Sequence, residues 1–537
     1  MNKLKIGLLL LIPFLFSCKK VLDTSPYNSL TDASAFTTAS KCALVLNGVY
    51  DAAQGDFYVT GTTENRGYPF GAANIYQSDA RGEDLVNIQA FLQVTYQATY
   101  NASNANSGAM WKGCYELINK ANIAIDGFRG AASKGVITRA TANQYEGECR
   151  LLRAMSHLEL LLNWARPYLE NGGTSLGVPY RDFPINSAAS ATAILTIPRP
   201  TVAEDYTKIL VDLDSAENNL PAASGGISYR ATKAAAIALK MRVKLYKGDW
   251  AGVIAEGTKL VPAILPVPTN ANYWSSIVSP TGGYFLTNSP DGPFTTASGG
   301  NSTESIFSIK NDPSDAPSTN GGLSRLLGSA TLGGRGLVSI SPIIYNDGRW
   351  LCDDKRRSLL LASGTNSAGT QSWFTTKYRD YATFGDYAPQ IRYAEVLLTL
   401  AEAEARNSGT VNARAIALLN AVRDRSLNTF LTQTYTAASF ANSTDLITKI
   451  LFERRVELLA EGRRWGDISR LANDPAYSTG GIPAKALNGT AGLAAFVCNS
   501  VYAPGQAGIP YSDYRFLWPI PITEIQTNPI VVQNPGY

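Results

Sequence analysis

"ERRVELLAEGRRWGDISRL", residues 453–471, is the stretch from which the rest of the chain can be read. Glu453, Glu457 and Glu461 recur every four residues, so on a helix they stack along one face. Stacked carboxylates alone would suit general acid–base work. Here Arg454, Arg455, Arg463 and Arg464 surround them. That mixture predicts a structural salt-bridge cluster instead. Trp465 falls at helical spacing and is expected to pack. The pattern predicts one helix over residues 444–472, ended by Pro475.

Working outward, helical periodicity recurs on both sides. Upstream lie predicted helices 390–406 and 412–425. Near the amino end, residues 31–51 and 111–128 carry the same period. Residues 140–165 form the strongest segment, with Leu151, Leu152, Met155, Leu158, Leu162 and Ala165 on one wide apolar face, stopped by Pro167. Thr201 caps the next helix, and Glu204 three residues on completes a capping-box pattern. Helices 232–246 and 250–261 follow around a "KGDW" turn. Short antiparallel pairs with alanine at close contacts indicate a degenerate helical array. Residues 262–387 break the pattern. They are rich in Gly, Ser, Thr, Asn and Pro with scattered aromatics, and irregular segments of this length usually serve function.

The 537 residues carry 47 Lys+Arg against 43 Asp+Glu. A balance so near neutral gives no sign of nucleic-acid binding. The single histidine, His157, leaves no imidazole pair for catalysis or metal binding and is expected to pack. No GxSxG nucleophile motif occurs. An enzyme, a cofactor and a metal site are therefore not expected. None of the six cysteines forms a CxxC pair. With Cys18 removed five remain, so at least one stays free, and a disulfide and buried unpaired thiols are both open.

At the amino terminus Lys3 and Lys5 precede an apolar run from Ile6 to Phe16, and Ser17 and Cys18 follow. Spanning a bilayer takes about 20 apolar residues, so this run reads as a signal peptide, residues 1–17, that is removed. The "LFSC" border resembles a bacterial lipobox, which makes Cys18 the expected lipidated first residue. Each buried methylene of such a lipid adds about 0.8 kcal/mol to membrane attachment.

Taken in order, the blocks resemble the SusD/RagB family of outer-membrane nutrient-capture lipoproteins. They are "CKKVLDTSP", "MWKGCYELINKAN", "EGECRLLRAMSHLELLLNWARPYL" with "GVPY", "ATKAAAIALKMRVKLYKGDW", "RYAEVLLTLAEAEAR" with "LNAVRDRS", the opening stretch, and "PIPITEIQTNPIVVQNPGY". Arg463 stands where the family often has histidine, a position that looks structural. The resemblance implies a mostly α, tetratricopeptide-like helical-repeat scaffold with long irregular loops forming a ligand-binding face. It implies an N-terminal region 18–230 and a C-terminal region 231–537 that make one unit, with 262–387 inserted as loops. It further implies a surface-exposed lipoprotein that passes an oligosaccharide to a SusC-like, TonB-dependent barrel transporter. Peptide-binding members exist, and a scaffold that only braces the transporter is a third reading.

For the ligand, flat aromatic faces stack on sugar rings while polar neighbours bond the hydroxyls. Trp274, Tyr284, Trp350 and Trp373 lie in predicted loops and are candidates, with loop-packing anchors as the equal alternative. "YQSDARGED", residues 76–84, reads as a polar loop. It offers Tyr76, Asp79 and Arg81, and the resemblance places ligand contacts after an aspartate matching Asp79.

Overall fold

The computed structural model describes residues 32–55, 67–295, 301–317, 320–489 and 492–537. Residues 1–17, expected to be a signal peptide, and Cys18, the expected lipidation site, lie outside the described residues. Side-chain caps fix where the helices start. Thr138 Oγ1 accepts the Thr141 N–H at 3.0 Å and opens helix Arg139–Trp164. At Thr201 the capping box forms in both directions, with Thr201 Oγ1 taking the Glu204 N–H and the Glu204 carboxylate taking the Thr201 N–H. Helix Lys233–Lys247 ends on Gly248 and helix Tyr393–Ser408 on Gly409. Both glycines are left-handed, a conformation that costs a side chain-bearing residue more.

Successive helices pack on one another along the chain. Ala105–Ser133 lies on Arg139–Trp164, which lies on Val202–Asn219, which lies on Lys233–Lys247. Trp250–Gly257 bridges to Tyr393–Ser408, which packs on Ala413–Asp424 and Ser443–Glu457. This is a mostly α, tetratricopeptide-like array. One hydrophobic core runs from Cys42 to Val531 and includes both halves of the chain. Strands are short and occur in antiparallel pairs. Leu85–Asn87 joins Val338–Ile340, Ser305–Ile309 joins Ala388–Arg392, and Leu361–Thr365 folds onto Gln371–Thr375 as a hairpin.

Two sequence expectations change. The predicted helix 390–406 begins as strand, because Arg392 is extended and pairs with Ser305, and the helix starts at Tyr393. The predicted helix 444–472 is two helices, Ser443–Glu457 and Arg464–Arg470. Between them Ala460 and Gly462 take positive φ, 62° and 73°, which no helix accommodates. A Cβ on Gly462 would sit 2.9 Å from the Ile75 Cα, so the break also lets the chain approach helix Ala72–Ala80.

The break distributes the charges of 453–471 into a buried ionic network. Glu457 takes Arg356, Arg392 and Arg425 at 3.2, 3.1 and 2.5 Å. Glu461 takes Lys377 and Arg392 at 2.5 and 2.7 Å, and Glu453 takes Arg356 at 2.6 Å. Glu304 closes the cluster by pairing with Arg392 and Arg425. On the opposite side Arg454 bonds Asp467 at 2.9 Å and Glu395 at 3.2 Å, while Arg470 reaches Glu402 at 2.7 Å. Arg455 and Arg464 hold Glu83 at 3.0 and 2.7 Å, and Arg463 donates to the Gln390 carbonyl. The salt-bridge reading of the stretch is met, with the pairs in the interior rather than on the surface.

Burial pushes the Glu457 carboxyl up, but Arg425, Arg392 and Arg356 outweigh it and bring it to about 2. Its folded value thus lies below its ordinary 4.5. The stability it contributes is present above pH 4.5 and is lost as pH falls toward 2. Glu457→Ala leaves three guanidiniums short of a partner and should cost about 3–5 kcal/mol in urea unfolding. Arg129→Ala, removing a half-exposed pair with Glu146, should cost under about 1 kcal/mol in the same assay.

Candidate functional site

The irregular segment and the C-terminal loops meet above the strand pair Leu85–Asn87/Val338–Ile340. There a small second core of Val86, Ile88, Ala486 and Phe496 supports the rings of Tyr345 and Trp373. Trp373 projects from the hairpin and stacks on Tyr345 with ring centroids 5.6 Å apart and 24° between planes. Phe496 meets the Tyr345 ring edge-on at 5.2 Å. Trp373 is partly buried, whereas Trp274 and Trp350 of the same segment are fully buried. Gln371 is exposed on the same hairpin. Asn87 donates to Asn488 Oδ1 at 2.6 Å and ties the 486–489 turn to the strand beneath.

Residues 495–500 are held at this face by two devices. Asn346, itself buried, donates to the Ala495 carbonyl and accepts the Val497 N–H, both at 2.9 Å, and its own carbonyl accepts the Ser500 N–H at 3.0 Å. Cys498 is bonded to Cys352, 146 residues away. The disulfide resolves what the cysteine spacing left open, and Cys42, Cys114 and Cys149 are buried free thiols. The loop displays Leu493 and Val497 to solvent at 39% and 54% exposure. Stacked rings, amides and apolar edges in one place suit a flat, hydroxylated ligand.

Of the residues singled out in the sequence, Trp373 alone is partly exposed on this face; the structure places the other six in the interior. Tyr76, Asp79 and Arg81 do not form a polar loop. Tyr76 and Asp79 lie on buried helix Ala72–Ala80, and Arg81 caps its end. Asp79 accepts the Gly462 and Arg464 N–H groups, and burial, opposed by those two bonds, pushes its carboxyl up to about 7. The Arg81 guanidinium lies 3.4 Å from the Trp465 ring centroid and donates to Asn163 Oδ1 at 2.9 Å. Tyr76 is fully buried. Trp274 packs between Tyr273 and Phe430, Tyr284 lies against the same core, and Trp350 sits beneath Arg357. The largest rings of this segment thus fill its interior. His157 packs as expected. It stacks on Tyr180 at 3.8 Å and accepts the Arg181 N–H at Nε2, which leaves Nδ1 to donate to the Arg153 carbonyl.

Sequence reasoning missed Tyr345, Asn346, Phe496 and the 486–502 loop. The Asn488–Gly489 dipeptide was a readable turn signal. The Asn346 anchor is set by contacts some 150 positions distant and left no local trace.

A helical-repeat scaffold carrying an aromatic loop face is the class of protein this geometry defines. The profile of the SusD family matches residues 366–537, and the profile described as starch-binding and associating with the outer membrane matches residues 20–245. SusD-like protein P38 of Formosa agariphila is 24% identical over 505 residues, covering 86% of this chain and 90% of that relative. A crystal structure of a SusD superfamily protein from Bacteroides fragilis is 25% identical with a TM-score of 0.72, covering 93% of this chain and 99% of that one. Surface glycan-binding protein A from Bacteroides uniformis, 19% identical, shares the fold with a TM-score of 0.66 over 93% of this chain and 99% of its own. The chain belongs to the SusD family.

Because the disulfide closes a long loop, the double variant Cys352→Ser/Cys498→Ser should lose about 2–5 kcal/mol of unfolding free energy. Amide exchange at Val497 and Ser500 should also accelerate. Unchanged exchange there would show that Asn346 alone fixes the loop.

Proposed function

We propose that this protein captures oligosaccharide at the outer-membrane surface on the Trp373 face and hands it to a TonB-dependent barrel transporter. The observation that carries this is Trp373, partly exposed and stacked on Tyr345, two residues along the same strand from exposed Gln371. Support comes from the family, one of whose profiles is described as starch-binding and associating with the outer membrane. The B. uniformis fold relative is named as a surface glycan-binding protein. Among the described residues no helix is long and apolar enough to cross a membrane. In this reading lipidated Cys18 is the attachment, and the short polar segment after it tethers the helical array. The protein holds the sugar without turning it over, and the scaffold faces the transporter while the loops face the ligand.

Stacking and apolar burial at one ring are worth about 1–2 kcal/mol. Trp373→Ala should therefore weaken binding about tenfold in calorimetric titration of an oligosaccharide panel, with a smaller drop in melting temperature than Trp274→Ala gives. Trp274→Ala should do the reverse, costing about 3–5 kcal/mol of stability as a vacated core site while the folded fraction still binds. Binding of peptides with no binding of any glycan would contradict the sugar reading.

A further inference from the structure

The pairing of the Trp373 hairpin fixes which side chains stand beside the indole. Trp373 lies opposite Ser363, and Gln371 lies opposite Thr365. Side chains directly opposite one another, or two residues apart on a strand, share one side of the sheet. These four therefore form one face. Ser363 and Gln371 are exposed and Thr365 and Trp373 partly so, while Gly364, Ser372 and Phe374 between them are buried. The outer side of the hairpin is one tryptophan beside three uncharged polar side chains.

Those polar groups form a row with capacity to spare. Thr365 Oγ1 accepts the Gln371 amide at 2.8 Å and the Thr331 hydroxyl at 3.1 Å. Thr331 stands on the turn Ala330–Leu332 and is held in place by the Thr365 N–H at 2.9 Å. Thr365 thus accepts twice, which leaves its own proton to donate. Among the described residues that proton, the Gln371 side-chain oxygen and the exposed Ser363 hydroxyl meet no partner. A donor at Thr365 stands next to an acceptor at Gln371. Neighbouring hydroxyls of a sugar, each able to donate and to accept, match that arrangement.

The surroundings say what charge such a ligand carries. Residues 85–104, 328–341, 360–376 and 492–506 converge here. Strand Leu85–Asn87 pairs with Val338–Ile340, Gln371–Thr375 packs on both Val338–Ile340 and Leu493–Ala495, and Gln506 Nε2 donates to the Tyr96 carbonyl at 3.3 Å. These segments contain no Asp or Glu, and Arg335 is their single charged residue, whereas 17% of the whole chain is charged. Arg335 is partly buried and donates to Asn320 Oδ1 at 2.5 Å. Nearby Arg349 is neutralised by Asp347 at 2.6 Å. Arg357, beneath the Tyr345 ring, is buried and spends its N–H groups on the carbonyls of Tyr345, Trp350 and Leu351. Lys485 is buried and donates to the Ala80 and Arg81 carbonyls. A carboxylate or sulfate brought to this face would lose water and reach no free cation, which is costly.

We propose that this row makes the Trp373 site selective for uncharged oligosaccharides. Thr365 donates to one sugar hydroxyl, Gln371 accepts from its neighbour, Ser363 bonds a third, and uronate or sulfated chains are rejected. The inference rests on the reading of the Trp373 face as the glycan site and adds the ligand class and the residues that select it.

The test is calorimetric titration of the full chain with maltoheptaose, cellohexaose, laminarihexaose and mannohexaose. Each is used as the parent sugar, oxidised at C6 to the uronate, and as the methyl ester of that uronate, which removes the charge and keeps the substituent. At least one parent should bind, its uronate at least about tenfold more weakly, and its methyl ester with most of the affinity recovered. Ser363→Ala and Thr365→Val should each weaken parent binding about three- to tenfold, as loss of one hydrogen bond does. Ser363 bonds nothing within the chain, so Ser363→Ala should leave the melting temperature unchanged, and its loss of affinity reports a ligand contact. Equal affinity for a uronate and its methyl ester overturns the proposal, as does full affinity in both Ser363→Ala and Thr365→Val. Uronate binding that matches the parent and is lost in Trp373→Ala would keep the glycan site and overturn its selectivity alone. Silence of every parent, uronate and ester would contradict the glycan reading itself and take the inference with it.

Discussion

Glu457 is the residue on which the rest of the architecture depends. It is almost fully buried, and three guanidiniums from three distant parts of the chain converge on it. Arg356 comes from the irregular segment, Arg392 from the strand that opens the Tyr393–Ser408 helix, and Arg425 from the end of the next helix. Isolating any of these charges in the interior would cost several kcal/mol, so the partners must arrive together. Lys377 adds a further tie by donating to the Glu457 carbonyl at 2.8 Å. The network closes only when the loops and the helical array are in register.

That constraint explains how long irregular loops become a defined face. Residues 304, 356, 377 and 392 are drawn to one carboxylate cluster, which fixes the loops' inner ends. The strand pair Val338–Ile340/Leu85–Asn87, the hairpin and the Cys352–Cys498 bond fix their outer parts. The aromatic residues divide between the two levels. Trp274, Trp350 and Tyr284 fill the interior, and Trp373 remains at the surface.

Much of the scaffold was legible in the sequence because it rests on local signals. The Thr201–Glu204 box, the apolar face of residues 140–165 and the Pro167 stop lie within a turn or two of what they determine. The opening stretch announced ionic packing through its alternation of glutamate and arginine. Its break after Glu457 was only half legible, because Gly462 is a glycine at the break but Ala460 adopts positive φ without being one. The site was harder to read than the fold. A tryptophan in a Gly- and Pro-rich segment has the same local sequence whether it anchors the loop or faces solvent. The difference lies in tertiary contacts such as Tyr345 on Trp373 and Phe430 on Trp274. "YQSDARGED" read as a polar loop because its charges are satisfied by residues nearly 400 positions away.

The central claim is that ligand meets this chain on the Trp373 loops and not among the buried aromatics. Hydrogen–deuterium exchange with and without a saturating bound oligosaccharide tests it directly. The account predicts slowed exchange in residues 366–375 and 492–502, with residues 273–286 and helix Ala72–Ala80 unchanged. Protection confined to residues 273–286 or to helix Ala72–Ala80, with the Trp373 hairpin unaffected, would contradict it.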